Sequence, residues 1–447
     1  MAARISFDLA RTGGPVKPIN AVNNGPIRSR SDQSNGNFDL YSALGISYAR
    51  THDASFCAAY GGEHTVDIAA VFPNFDADEN DPASYDFHYT DEYIDTIQSA
   101  GTKVFYRLGH KIEHGTKKYG TLPPKDFAKW ARICEHLIRH TTEGWADGHH
   151  WDIEYWEIWN EPDLDPDDSP NKRCWGGTKA QFFDLFEIAA KHLKACFPDR
   201  KIGGPAIAHN LAWAEDFLAE MQRRGTPLDF FSWHRYTTDP HSFAAMAEKV
   251  RALLDRYGFD RAESILNEWN YVRGWGGADW IYSLRQMEGL KGASFIAAAM
   301  AVAQTAPIDM LMYYDARPTG MNGIFDDTIL CDTRKGYEVY RTAHLLRQAG
   351  TSLPVECSSP DVYGVAATDG RAARLLLTYY REQDGSPDEP VTIAFETPQP
   401  VTVTLRRTDA ALDSGRVFAN SFAAGRVEFT LSLKQFDIYD VEIAPLG

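Results

Sequence analysis

Positive charge is what this chain has least of. Lys and Arg total 45 against 62 Asp and Glu, a formal net charge of −17 over 447 residues. A nucleic-acid binder needs a basic face, and an anionic membrane attracts the same sign, so neither partner is expected. Cysteine is sparse as well. Cys57, Cys134, Cys174, Cys196, Cys331 and Cys357 are widely spaced and form no C-x-x-C pair, so no zinc or redox motif is indicated. Scattered cysteines in a long chain read as the reduced thiols of a cytoplasmic protein. No H-E-x-x-H and no G-x-G-x-x-G occur, so neither a metal nor a nucleotide cofactor is expected. No apolar run reaches about 18 residues, so a membrane span is not expected. The opening MAARISFDLARTGG lacks the apolar stretch of about 7–15 residues that marks a secretory leader. That again points to the cytoplasm, or to a secreted or periplasmic protein had a leader been trimmed. There are no internal repeats.

What is present is regular alternation. Apolar strands and amphipathic helices take turns from about residue 19 to 345, the pattern of an α/β protein. Eight strands are legible: INAVN (19–23), GISYAR (45–50), TKVFYRL (102–108), EYWEIWN (154–160), KIGGPA (201–206), DFFSWHRY (229–236), SILNEWN (264–270) and MLMYYDA (310–316). Several are apolar on both faces, as strands of a helix-covered parallel sheet are. FAKWARICEHLIRH sets Phe127, Trp130, Cys134, Leu137 and Ile138 on one helical face, and QFFDLFEIAAKHL does the same with Phe182, Phe186, Ala189 and Leu193. Eight strand–helix units predict a (β/α)8 TIM barrel over 19–345. A doubly wound open sheet is the competitor, but it usually needs fewer strands. From 346 to 447 the texture becomes short alternating strands, from VYGVAATD to FDIYDVEIAP, which predicts an accessory antiparallel β-sandwich domain. ARISFDLA (3–10), within residues 1–18, comes too early for the barrel and is expected to join that sandwich.

Barrel active groups sit at the C-terminal ends of the strands. Here those ends read Arg50-Thr51-His52-Asp53, Asn160-Glu161-Pro162, His234-Arg235-Tyr236, Asn267-Glu268-Trp269-Asn270 and Tyr313-Tyr314-Asp315. Glu161 and Glu268 would face each other across the mouth. Two carboxyls about 5–5.5 Å apart are the equipment of a retaining glycosidase, and like charges that close keep one of them protonated. Asn160 can donate to a sugar hydroxyl. Trp159, Trp233, Trp269 and Trp275 offer flat faces to sugar rings, although most tryptophans are core.

The motifs GISYARTHD, YWEIWNEPDL, KIGGPA, DFFSWHRY and ILNEWN, in that order over about residues 40–345, resemble those of glycoside hydrolase family 39. That family holds β-xylosidases and α-L-iduronidases of the retaining clan. The resemblance implies Glu161 as acid/base and Glu268 as nucleophile, with Asn160, His52, His234 and Tyr236 beside the sugar and Arg50 supporting the nucleophile. The chain departs from the family pattern at Tyr313-Tyr314, followed by DARPTGMNGIFD, and at GHKIEHG (109–115). His110, Tyr314 and Asp315 fall in these stretches, which bear on the choice of sugar. A β-xylosidase-like exo-enzyme acting on an oligosaccharide or glycoside is the leading expectation. An α-L-arabinosidase is the first alternative. An α-L-iduronidase would need a cation for the sugar carboxylate, for which Arg317 and Lys111 are at hand. A non-catalytic carbohydrate-binding barrel is a further reading, and a sandwich that joins copies into a homo-oligomer is another.

Blander roles stand beside these. Glu157, four residues before Glu161, reads as half of a buried ion pair. His52 and His234 can equally be satisfied structural histidines, and His149-His150, just before the fourth strand, read as solvated.

Overall fold

The computed structural model describes residues 2–28, 36–52, 65–327 and 331–446. Asp53 and Cys57 lie outside the described residues. The other five cysteines are free thiols.

Eight parallel strands close into a barrel: β2 (Ala21–Asn23), β3 (Tyr48–Arg50), β4 (Lys103–Leu108), β5 (Tyr155–Ile158), β6 (Lys201–Ile207), β7 (Phe230–Thr237), β8 (Glu263–Tyr271) and β9 (Met310–Tyr313). The helices that follow them are α1 (Phe38–Ala43), α2 (Ile68–Val71), α3 (His88–Ser99), α4 (Phe127–Glu143), α5 (Lys179–Cys196), α6 (Leu211–Arg224), α7 (His241–Arg256), α8 (Gly277–Glu288), α9 (Leu290–Thr305) and α10 (Lys335–Ala349). Some of their starts are locally encoded. Asp126 caps α4 by accepting from Lys129 N, and Thr178 with Gln181 closes a capping box on α5. Among the described residues no helix is long and apolar enough to cross a membrane.

The remaining strands form two sheets. One has the order β11 (Glu356–Cys357), β1 (Ala3–Asp8), β14 (Glu389–Thr397), β17 (Gly425–Leu433). The other has the order β10 (Thr351–Leu353), β12 (Val362–Thr368), β13 (Ala373–Tyr379), β18 (Ile438–Pro445), β15 (Val401–Thr408), β16 (Gly415–Phe422). Pairing is antiparallel except between β1 and β14, which run parallel in the register Ile5↔Ile393. The sheets share a core of Ile5, Leu375, Ile393, Val403 and Val441. The helix α9 is apolar on every face and buried along most of its length, the pattern of a helix walled in on all sides. It packs on β8, α7 and α10 of the barrel and on β12 and β13 of the second sheet.

Inside the barrel the filling is layered. Phe105, Tyr155, Phe230, Ile265, Met310 and Met312 form an apolar floor. One step along the strands toward their C-terminal ends, Asn23, Arg50, Glu157, Ser232 and Asn267 form a buried polar layer. The mouth above them is the place for chemistry.

Candidate active site

The polar layer is organised by one guanidinium. Arg50 Nε donates to Glu157 Oε2 at 2.6 Å, Nη1 to Asn23 Oδ1 at 3.1 Å and to Glu268 Oε2 at 3.3 Å, and Nη2 to Asn160 Oδ1 at 2.6 Å. Glu157 Oε1 accepts from Ser232 Oγ at 2.6 Å and Asn267 Nδ2 at 2.5 Å. Glu157 is thus a saturated structural carboxylate with no face toward the mouth. Because Arg50 occupies the amide oxygen of Asn160, the amide nitrogen is the end left for the mouth, and it can only donate.

Two backbone irregularities aim the carboxyls. At the end of β5, Trp159 and Glu161 both lie in the left-handed region, with φ of 75° and 46°. Such conformations in non-glycine residues cost about 1–3 kcal/mol each and need support. Gly109 gives part of that support, since its backbone passes so close that a Cβ there would sit 3.2 Å from Trp159 Cα. In β8 an extra residue interrupts pairing with both neighbours. Leu266 pairs with Trp233 and Leu311, but Glu268 pairs with His234 and Trp269 with Tyr313. Ile265 and Asn267 face inward, so strict alternation would turn Glu268 out. The bulge restores it to the mouth, a use of bulges common beside active sites.

Glu161 and Glu268 meet around His234. The Nδ1 of His234 is 2.8 Å from Glu161 Oε1 and 3.3 Å from Glu268 Oε2, and one oxygen of each carboxyl lies within 4.8 Å of the other. The hydroxyl of Tyr236 donates to Glu268 Oε1 at 2.6 Å. The thiol of Cys174 donates to Glu161 Oε2 at 3.7 Å. Burial pushes the Glu161 carboxyl up to about 7, the negative charge of Asp163 adds to this, and Arg50, Cys174 and His209 oppose it. Burial also pushes Glu268 up, as does Glu161, against His234, Arg50 and the Tyr236 hydroxyl. Three groups that favour the ionised form therefore touch Glu268, and the better home for a shared proton is Glu161. Burial lowers His234, and burial with the cations Arg50 and Arg107 takes His52 well below its usual range, which keeps it a neutral imidazole at neutral pH.

These groups open into a cavity of about 490 Å³ whose walls include His52, Asn160, Glu161, Tyr236, Glu268 and Tyr314. The pair of carboxyls with a proton between them can deliver that proton to one side of a bound molecule while the bare carboxylate attacks from the other. Glu161, His234 and Glu268 could also converge on a cation, but the Arg50 guanidinium already neutralises Glu268 and would repel a second positive charge.

Three residues offered by the sequence lie elsewhere. Trp269 is fully buried against Phe243, Phe295 and Tyr313, outside the barrel wall, because the β8 bulge that turns Glu268 in turns Trp269 out. Asp315 is fully buried and bound by Arg317 Nε at 2.9 Å and Asn24 Nδ2 at 3.3 Å. His110 lines a separate cavity of about 330 Å³ beside Trp130 and Trp159. Arg50 and His234 lie beneath the cavity and reach it through the carboxyls. Of the four tryptophans considered, Trp275 lines this cavity; it is 61 % exposed and stacks on Trp280 with centroids 5.2 Å apart.

Sequence reasoning gave no role at the site to Asp163, Cys174, Arg235 or His209, although Arg235 stood in one of the strand ends read as the barrel mouth. Asp163 stood inside WNEPDL as a visible signal. It is buried and accepts from Ala208 N, His209 N and Asn210 N, pinning the loop after β6 under Glu161. Cys174 arrives through a loop with no motif to announce it.

Residues 40–271, just over half of the chain, match the model of glycosyl hydrolases family 39. The chain is similar to a β-xylosidase of Caldicellulosiruptor saccharolyticus, 31% identical over 206 residues, 44% of this chain and 38% of that protein. It is also similar to a β-xylosidase of Geobacillus stearothermophilus, 29% identical over 188 residues, 39% of this chain and 35% of that one. The matched stretch is thus little more than a third of either relative. In fold it is similar to a glucosidase from Croceicoccus marinus (TM-score 0.81, 21% identity, 100% of both chains). A monomeric β-xylosidase from Caulobacter crescentus is also similar in fold (TM-score 0.71, 18% identity, 100% of both chains). With the barrel, the paired glutamates at its mouth and the family match over residues 40–271, the chain belongs to glycosyl hydrolases family 39.

Proposed function

We propose that the protein is a retaining, exo-acting glycosidase of β-xylosidase type, with Glu268 as nucleophile and Glu161 as acid/base. The observation that carries this reading is the approach of the two carboxyls, with oxygens within 4.8 Å of each other. Retaining enzymes hold their carboxyls about 5–5.5 Å apart, whereas inverting ones leave about 6.5–9.5 Å for a water. Glu268 attacks the anomeric carbon while Glu161 gives its proton to the departing oxygen. Glu161 then takes a proton from water, which displaces Glu268 and releases the sugar. Asn160 and the neutral His52 hydrogen-bond the sugar hydroxyls, and Tyr236 and Arg50 hold the nucleophile. Both of the relatives named above are β-xylosidases, which supports xylose as the sugar. A cavity of about 490 Å³ suits the end of a saccharide.

The reading is tested with Glu161→Ala. Turnover of glycosides with poor leaving groups is expected to fall by about 10²–10⁴, while activated aryl glycosides suffer less at the glycosylation step. Azide should restore turnover and give a glycosyl azide of unchanged anomeric configuration. Equal loss on both substrate types, with no azide product, overturns the assignment.

A second reading, an acidic sugar in the same site, has one observation behind it. Arg235 and His209 line the cavity, and Arg235 has no carboxylate partner among the described residues. Arg317, by contrast, is taken by Asp315 at 2.8 Å. A panel of nitrophenyl glycosides that includes uronides separates the two.

A further inference from the structure

A second cluster of side chains lies far from this chemistry, where β5 begins rather than ends. Asp91 comes from the first turn of α3, His140 from the last turn of α4, and His149 from the segment that leads to β5. No sequence spacing would announce them as a set. Both oxygens of Asp91 lie 3.1 Å from His140 Nε2, and Oδ2 lies 3.3 Å from His149 Nε2. One atom from each residue falls within 4.8 Å of the others.

The rings are held in place before anything binds. His140 is buried, stacks on Phe87 with centroids 3.6 Å apart, and its Nδ1 lies 2.8 Å from the carbonyl of Trp145. That carbonyl can only accept, so the Nδ1 proton is committed to it and Nε2 turns its lone pair toward Asp91. An imidazole oriented by a backbone carbonyl in this way is the usual outer support of a metal ligand. His149 stacks on Trp151 at 3.7 Å. The loop between the two histidines is tied down as well, with His149 N donating to His140 O and Gly144 N to His149 O. It lies so tightly on His140 that a Cβ on Gly148 would come within 2.6 Å of Nδ1.

A neutral His149 can present its own Nε2 proton to Asp91, but with Nδ1 of His140 committed to the Trp145 carbonyl, the lone pair on His140 Nε2 faces the carboxylate and repels it unless a cation sits between them. Among the described residues no Lys or Arg pairs with Asp91; its ion-pair partners there are His140 and His149. A single proton can satisfy one of the two contacts, whereas a divalent ion satisfies both. Zinc bonds to His nitrogen of about 2.0–2.1 Å at tetrahedral angles place ligand atoms about 3.3 Å apart, close to the 3.1 and 3.3 Å that separate Asp91 from the two imidazoles. Two imidazoles with one carboxylate favour zinc and its neighbours over Mg²⁺ or Ca²⁺. Among the described residues the other such cluster outside the active site, Glu135, His192 and Cys196, fits less well, because Arg139 already binds Glu135 at 2.8 Å.

We propose that Asp91, His140 and His149 form a zinc site that braces α3, α4 and the entry to β5, with water completing the shell on the solvent side, where His149 is 37 % exposed. The ion ties three segments together and takes no part in glycoside cleavage.

The test uses the full chain after dialysis against a chelator. Calorimetric titration with zinc chloride should show about one Zn²⁺ per chain, and the melting temperature should rise with added zinc. Co²⁺ in place of zinc should give the visible bands of a tetrahedral centre. His149→Ala changes a partly exposed residue and should fold; it should lose both the binding and the thermal shift while its turnover at low temperature stays unchanged. His192→Ala should keep the binding and the shift. No zinc uptake by the wild-type chain overturns the proposal, and so does uptake that survives His149→Ala or is lost in His192→Ala.

Discussion

At the scale of single residues, the site depends on keeping two like charges from both forming. Burial and Asp163 raise the Glu161 carboxyl to about 7, so in the acid/base role proposed for it the proton is present below that pH and lost above it. The alkaline limb of kcat/KM, which reports the free enzyme, is therefore expected near pH 7. Activity falls as pH rises through it. Asp163→Asn removes the charge that, after burial, contributes most to the rise. Its alkaline limb should move to lower pH by roughly half to one unit. A pH profile of kcat/KM reads this directly, and a melting curve of the variant checks that the loop pinned by Asp163 is still in place. A limb that stays put would mean that another group carries the proton. Asp163 could have been weighed from the sequence, since it lies two residues after Glu161. Its effect could not, because it depends on burial and on the loop after β6.

At the scale of elements, the barrel was legible because each strand repeats a simple requirement. Two buried faces call for continuous apolar runs, and all eight runs read from the sequence coincide with β2 to β9. The elements that escaped have physical reasons. In β16 most residues are exposed and, among the described residues, only β15 pairs with it, so no apolar alternation betrays it. The helix α9 is apolar all round and so has no amphipathic period to find. The β8 bulge hides for a different reason: one extra residue changes which side chains face inward without changing the composition. For that cause Trp269 looked like a sugar platform and proved to be core. The bulge itself invites a test. Asn267, its extra residue, donates to Glu157 Oε1, and its carbonyl accepts from Asn23 Nδ2 at 2.8 Å. Asn267→Ala leaves a buried carboxylate oxygen short of a donor and should cost about 1–3 kcal/mol in stability. It should also loosen the aim of Glu268 and lower kcat more than it raises KM. Thermal melts and steady-state kinetics on one aryl glycoside measure both effects.

At the scale of the molecule, the C-terminal sheets are fastened to the strand ends that carry the site. Tyr380 Oη donates to Thr238 O at 2.7 Å, just past β7. Tyr271, three residues after Glu268, donates to Glu382 at 2.8 Å. Lys291 at the start of α9 gathers the same region. It is 4 % exposed, donates to Tyr282 Oη at 3.0 Å and pairs with Asp384 at 2.9 Å and Glu382 at 3.3 Å. Replacing it by Met keeps the aliphatic stem but removes the only cation that answers these two carboxylates among the described residues. Both are partly exposed, so water takes over some of the loss and the expected cost is roughly 1–3 kcal/mol. Because α9 packs on β8 and on β12 and β13 alike, that cost should fall on both parts of the chain together. The distribution of tryptophan makes this measurable: all 11 lie before residue 281, so their fluorescence reports the barrel alone. In Lys291→Met the fluorescence transition and the calorimetric transition should both move down, by the same interval. A calorimetric shift that leaves the tryptophan transition where it was would show that the sheets unfold on their own and that α9 does not couple them to the barrel.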